Sequence, residues 1–178
     1  MPYILKRATK VLVCSVLVCA PMQLRQVVAS PVHVKGEASR TQRILNAIAE
    51  IKNSDDPSTR IGKSHELAQT IYDTVQSGHT SEIDDNVIRG LGNLMEVSDD
   101  RYWTALAIAQ LGRRASSLAP KLIAALDDEH RRKEERLKRE GILFYRGEDP
   151  MDGICVALKK IGAEVPKSCS EELSGVRK

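Results

Sequence analysis

Aromatic side chains are almost missing from this chain of 178 residues: one Trp, one Phe and four Tyr make up 3% of it. Strands favour aromatic and β-branched residues in alternation, whereas Ala, Leu, Ile and Val recur here at helical spacing. The shortage therefore argues against a sheet protein and for an all-α fold. Long apolar runs are missing too. The main apolar block, Val11 to Ala20 (VLVCSVLVCA), falls well short of the ~20 residues a membrane-spanning helix requires.

Acidic residues are absent before Glu37, while Lys6, Arg7 and Lys10 precede the apolar block. A positive leader, a short apolar stretch and the small-residue site Val27-Val28-Ala29 make the plan of a secretory signal peptide over residues 1–29, cut before Ser30. A mitochondrial presequence is the alternative. A lipoprotein signal fits less well, because Val13 and Val18 stand before Cys14 and Cys19, where a small residue is required. The expected mature protein keeps no stable membrane anchor. It also loses Lys6, Arg7, Lys10 and Arg25, so removing four positive charges from a net +3 leaves −1. That excludes the broad positive field of a general nucleic-acid binder.

Cysteine is scarce as well. Of four in the chain, Cys14 and Cys19 leave with the leader. Cys155 and Cys169 remain, seven residues before and seven after Gly162, where a helix should end and the chain turn back. A disulfide between them suits an export compartment; two buried free thiols are the alternative.

Along the expected mature chain, residues 30–40 read as a flexible lead-in. The spacing then predicts helices over 41–52, 64–76 with Ser64 as N-cap, 81–97, one before Gly112 with Trp103, Leu106, Ala107, Gln110 and Leu111 on its inner face, 117–128 and 150–161. Between Asp128 and Asp149, four acid-before-base pairs at i,i+4 (Asp128/Arg132, Glu129/Lys133, Glu134/Lys138, Glu135/Arg139) predict a charged helical extension and insertion over 127–149. Its end carries a short apolar cluster, with Phe144 and Tyr145 as exposed candidates or as residues folded back on the helices.

Asp99 to Asp128 reads DDRYWTALAIAQLGRRASSLAPKLIAALDD. An acidic pair precedes Arg101, small and apolar residues follow at Ala105, Ala107, Ala109 and Leu111, and a turn at Gly112 leads to Ala115, Ala119, Pro120, Leu122 and Leu126. This hairpin resembles a HEAT repeat, and Ala157 to Gly162 (ALKKIG) echoes Ala107 to Gly112 (AIAQLG). The resemblance implies a short right-handed stack of about six or seven helices in a helical domain over 41–178. Second helices of such hairpins line the binding surface, which would put Arg89, Asn93, Glu96, Lys121 and Asp128 on it.

Signals for catalysis are weak. Pro57 to Ser64 (PSTRIGKS) departs from the phosphate loop in having Pro57 where a Gly must flex. His65-Glu66 lacks the second His, at position 69, that would grip zinc. No cofactor, metal or enzymatic activity is expected, and the partner expected is another protein, met in the periplasm or outside the cell. Two alternatives stand beside this: an immunity or inhibitor protein against a secreted toxin, and an envelope-acting enzyme without a recognisable motif.

Overall fold

The computed structural model describes residues 39–140 and 148–169. The expected signal peptide, most of the lead-in, and Phe144 and Tyr145 lie outside the described residues. Within them the chain is all-α: six α-helices joined in part by short 3₁₀ turns, with no strand among the described residues.

α1 (Arg40–Asn53) starts at Ser39, whose hydroxyl accepts from the Gln42 amide, and buries Ile44, Ile48 and Ile51. α2 (Pro57–Gln76) starts seven residues earlier than Ser64. Asp56 is the cap, accepting from the Thr59 amide at 2.8 Å, and Pro57 stands at the first helical position, where a missing N–H costs nothing. Ser64 is fully buried inside the helix, and the segment resembling a phosphate loop is its first two turns. α2 closes at Gly78, with φ of 77°. There His79 N donates to Thr74 O and Gly78 N to Val75 O, a paired closure that satisfies the last carbonyls.

The helix expected over 81–97 is divided. A 3₁₀ turn at Thr80–Glu82 precedes α3 (Asp85–Leu94), and another occupies Ser98–Asp100. The division comes from Asp84, whose carboxylate accepts from the amides of Asn86 and Val87 and so begins a new helix. Ile83, Val87, Leu91, Leu94 and Met95 are buried, as their spacing predicts.

α4 (Arg101–Leu111) is joined by a 3₁₀ segment (Gly112–Leu118) to α5 (Ala119–Glu140). α4 has no single apolar face. Thr104, Ala105, Ala107, Ile108, Ala109 and Leu111 are all buried, whereas Trp103, Leu106 and Gln110 are only partly so. The cause is its position, between α2 and α6 (Pro150–Ile161) and also against α3.

Contacts fix the directions. Arg60, Ser64 and His65 of α2 meet Asp99, Asp100 and Trp103 in the same order, so α2 and α4 run the same way. α6 does too: its Gly153 lies against Tyr102 at the start of α4, and Gly112 at the end of α4 faces the Lys160 carbonyl. α5 returns in the opposite sense, since Arg101 at the start of α4 reaches Asp128 and Glu129. The 3₁₀ segment after α4 sits beside the turn after α2, where the Arg114 guanidinium donates to the carbonyls of Thr80 and Ile83.

α4 and α6 approach closely because Gly153 has no side chain. A Cβ there would lie 3.0 Å from the Tyr102 carbonyl oxygen and 3.3 Å from its Cα, both backbone atoms with little room to shift. Gly153→Ala gains about 1 kcal/mol of helix propensity and loses about 1–3 kcal/mol to overpacking. A net destabilisation of up to about 2 kcal/mol is expected in urea unfolding. Gly62→Ala in α2 is the opposite case. Nothing lies within 4 Å of the added methyl, so that variant should gain about 0.5–1 kcal/mol.

Candidate functional site

Three of the five sequence-predicted surface residues come together. Lys121 at the start of α5 donates to Asn93 Oδ1 of α3 at 2.7 Å and pairs with Glu96 Oε1 at 3.0 Å. The approach depends on Gly92, where a Cβ would stand 2.7 Å from Leu118 Cδ2 and 3.2 Å from Lys121 Cδ. Arg89 is exposed one turn earlier on α3 and adds to the effects holding Asp84 below the usual carboxylate range, of which the Val87 amide is the largest. Arg89, Asn93, Glu96 and Lys121 thus form a mixed-charge polar strip across α3 and α5.

Asp128 has a different position. Arg101 Nη1 lies 2.6 Å from Asp128 Oδ2 and 2.6 Å from Glu129 Oε1, while Arg101 Nε donates to the Met95 carbonyl at 2.9 Å. Arg131 and Arg132 close on the same aspartate from solvent. The hydrogen bond from Arg101 is the main reason the Asp128 carboxyl sits below its usual range, against the opposing effect of desolvation. Glu129, expected to pair with Lys133 in solvent, is 5% exposed and turned inward. Asp128 and Glu129 therefore join α4 to α5. Residues 134–140 continue the helix beyond this point, each of them exposed.

Sequence reasoning missed a second polar cluster between α2 and α4. The Ser64 hydroxyl donates to Asp100 Oδ2 at 3.0 Å, and Asp100 and Ser64 are both buried. Asp100 Oδ1, Thr104 Oγ1 and Arg60 Nε are buried there without a hydrogen-bond partner. Desolvation pushes the Asp100 carboxyl above its usual range, against the Ser64 hydrogen bond and the Arg60 charge. The legible hint was the acidic pair beside Arg101, but only tertiary packing sets Ser64 opposite it.

Beside this cluster the single Trp stacks on His65, with ring centroids 4.0 Å apart, and meets the edge of Tyr102 at 5.1 Å. Its indole N–H donates to Glu148 at 2.9 Å. A cleft of about 440 Å³ opens between α1 and α2, lined by Arg40, Arg43, Ile44, Thr70, Asp73 and Thr74 among others. Its hydroxyls bond their own helix, Thr74 to the Thr70 carbonyl and Ser77 to that of Asp73. Arg40 turns to Glu82, and no nucleophile with an adjacent base lines the cleft.

Cys155 and Cys169 form a disulfide, with Cα atoms 5.4 Å apart. Both are fully buried, and the bond ties α6 to the segment beyond Gly162, where φ is 77°. Such a bond fits an oxidising compartment. Among the described residues no helix is long and apolar enough to cross a membrane, and no three His, Cys, Asp or Glu side chains gather as metal ligands. Comparison of the chain with models of known protein families, with curated proteins and with solved structures found no match.

Proposed function

We propose that the chain is an exported, non-enzymatic protein-binding module built from HEAT-like helical hairpins. The observation that carries this reading is the order of packing. α2, α4 and α6 lie side by side in one direction, and α5 returns in the opposite sense, packed on α6 and bridged to α4 by Arg101. A row of parallel first helices is one part of what a repeat stack requires, since no hairpin of this kind buries its apolar face alone; α3 packs on α1 and α4.

That order leaves the outward sides of α3 and α5 as the binding surface. Arg89, Asn93, Glu96 and Lys121 supply donors, acceptors and both signs of charge, which suits a polar protein partner and offers no uniform field for a phosphate backbone. Asp128 contributes to joining α4 and α5 instead. The buried disulfide supports export.

Affinity capture from the producing organism, with the chain lacking residues 1–29 as bait, tests the reading. A specific protein partner is expected, retained by the wild type and weakened about tenfold or more by combining Arg89→Glu with Lys121→Glu. Recovery of no partner at native concentrations, or of one indifferent to both changes, contradicts it.

A further inference from the structure

The cluster between α2 and α4 is poorly arranged for a carboxylate. Asp100 is 1% exposed; Ser64 is its side-chain hydrogen-bond partner, its own backbone amide also favours the anion, and Oδ1 has no partner. The elements packed on it bring little charge to bear. From α2, Arg60 faces it but is paired with Asp99 and donates to the Ser54 carbonyl. Lys63 turns away to Glu50 and His65 to Trp103. From α4, Arg101 points to Asp128 and Glu129. Neighbouring Asp99 adds a repelling charge.

We propose that Asp100 is a proton-operated latch between α2 and α4. A proton taken from water converts the orphan Oδ1 acceptor into a hydroxyl donor. One turn on, in α4, Thr104 has a buried Oγ1 equally without a partner; its hydroxyl can donate to the anion as well as accept from the acid, so the proton acts by removing the buried charge. Ser64 keeps its bond to Oδ2, and the neutral acid places no charge in the seam. Loss of the proton leaves a buried, half-satisfied anion in the seam.

The sign follows from linkage. The folded carboxyl lies above the ordinary Asp value of 3.8, so the folded state binds more protons than the unfolded one. The latch's contribution is complete below the unfolded value and is lost as pH rises through the raised one. At its steepest this changes the unfolding constant by about tenfold per pH unit.

Urea unfolding of the disulfide-intact protein from about pH 8 to about pH 4 tests the proposal. Wild type should lose stability with rising pH over part of that range. Asp100→Asn, which keeps the shape and carries no charge, should abolish that segment and be the more stable protein at neutral pH. His65→Gln removes the imidazole beside Trp103 and should leave the segment in place. Parallel pH profiles for wild type and Asp100→Asn would overturn the latch. If Asp100→Asn does not fold, carboxyl-carbon NMR of the wild type decides the matter. An Asp100 midpoint above the ordinary value supports the latch, and one at or below it overturns the proposal.

Discussion

Arg101→Ala is expected to cost about 3–5 kcal/mol of stability. The side chain is 4% exposed, and it is the interior partner of a glutamate that is 5% exposed. Truncation leaves Glu129 buried as an unpaired anion, leaves the Met95 carbonyl without its donor, and removes the link from the start of α4 to α5. Surface ion pairs are worth little by comparison, so Arg131→Ala, which faces solvent from the far side of Asp128, should cost under about 0.5 kcal/mol.

The cost belongs to breaking the pair and not to lacking it. Arg101→Met combined with Glu129→Leu removes both charges together and should recover most of the loss, as buried pairs exchanged for apolar residues generally do. Equal losses in the single and double variants would contradict this account of the network. Acid acts on the same place. Because Arg101 holds Asp128 below the ordinary 3.8, that part of the stability is present above the unfolded pKa and disappears as pH falls through the folded one.

Removing the disulfide has the next largest expected effect. Cys155 and Cys169 are 14 residues apart, and closing a loop of that size is worth about 3 kcal/mol through the unfolded chain. The double change Cys155→Ala with Cys169→Ala adds a small packing loss, because both side chains are fully buried. Mild reductant should reach the bond slowly in the folded protein for the same reason. Urea unfolding of oxidised and reduced protein separates the two contributions: the unfolded-state effect appears with reduction alone, together with a larger dependence on denaturant as the released chain exposes more surface. A stability change under about 1 kcal/mol on reduction would mean that the reduced, unfolded chain keeps residual structure around this loop.

Helices with a cap and a spaced apolar stripe were legible in the sequence. α6 is the clearest, with Asp149 and Pro150 at one end and Gly162 at the other. So was the pairing of Cys155 with Cys169, because a turn at Gly162 puts equal arms on each side. The start of α2 was not, since Ser64 looks like a cap until Asp56-Pro57 supplies a better one upstream. Nor was the face of α4, which packs on several sides and therefore shows no stripe. In the candidate site, the resemblance to a HEAT hairpin pointed to Arg89, Asn93, Glu96 and Lys121, all exposed or partly exposed. It could not show that Asp128 and Glu129 turn toward Arg101. Charge pairs at i,i+4 look alike whether the acid faces solvent or a guanidinium on another helix, and the same limit hid Ser64 opposite Asp100.

The reading of this chain as a binding module depends most on where a partner sits. Amide hydrogen exchange of the mature protein, free and saturated with the partner recovered by capture, measures that directly. Slowed exchange should concentrate in α3 from Arg89 to Leu94 and in the first turns of α5 around Lys121, with the outer face of α2 near Tyr72 unchanged. Protection confined to α2 or to the cleft between α1 and α2, with α3 and α5 exchanging as in the free protein, would contradict the account.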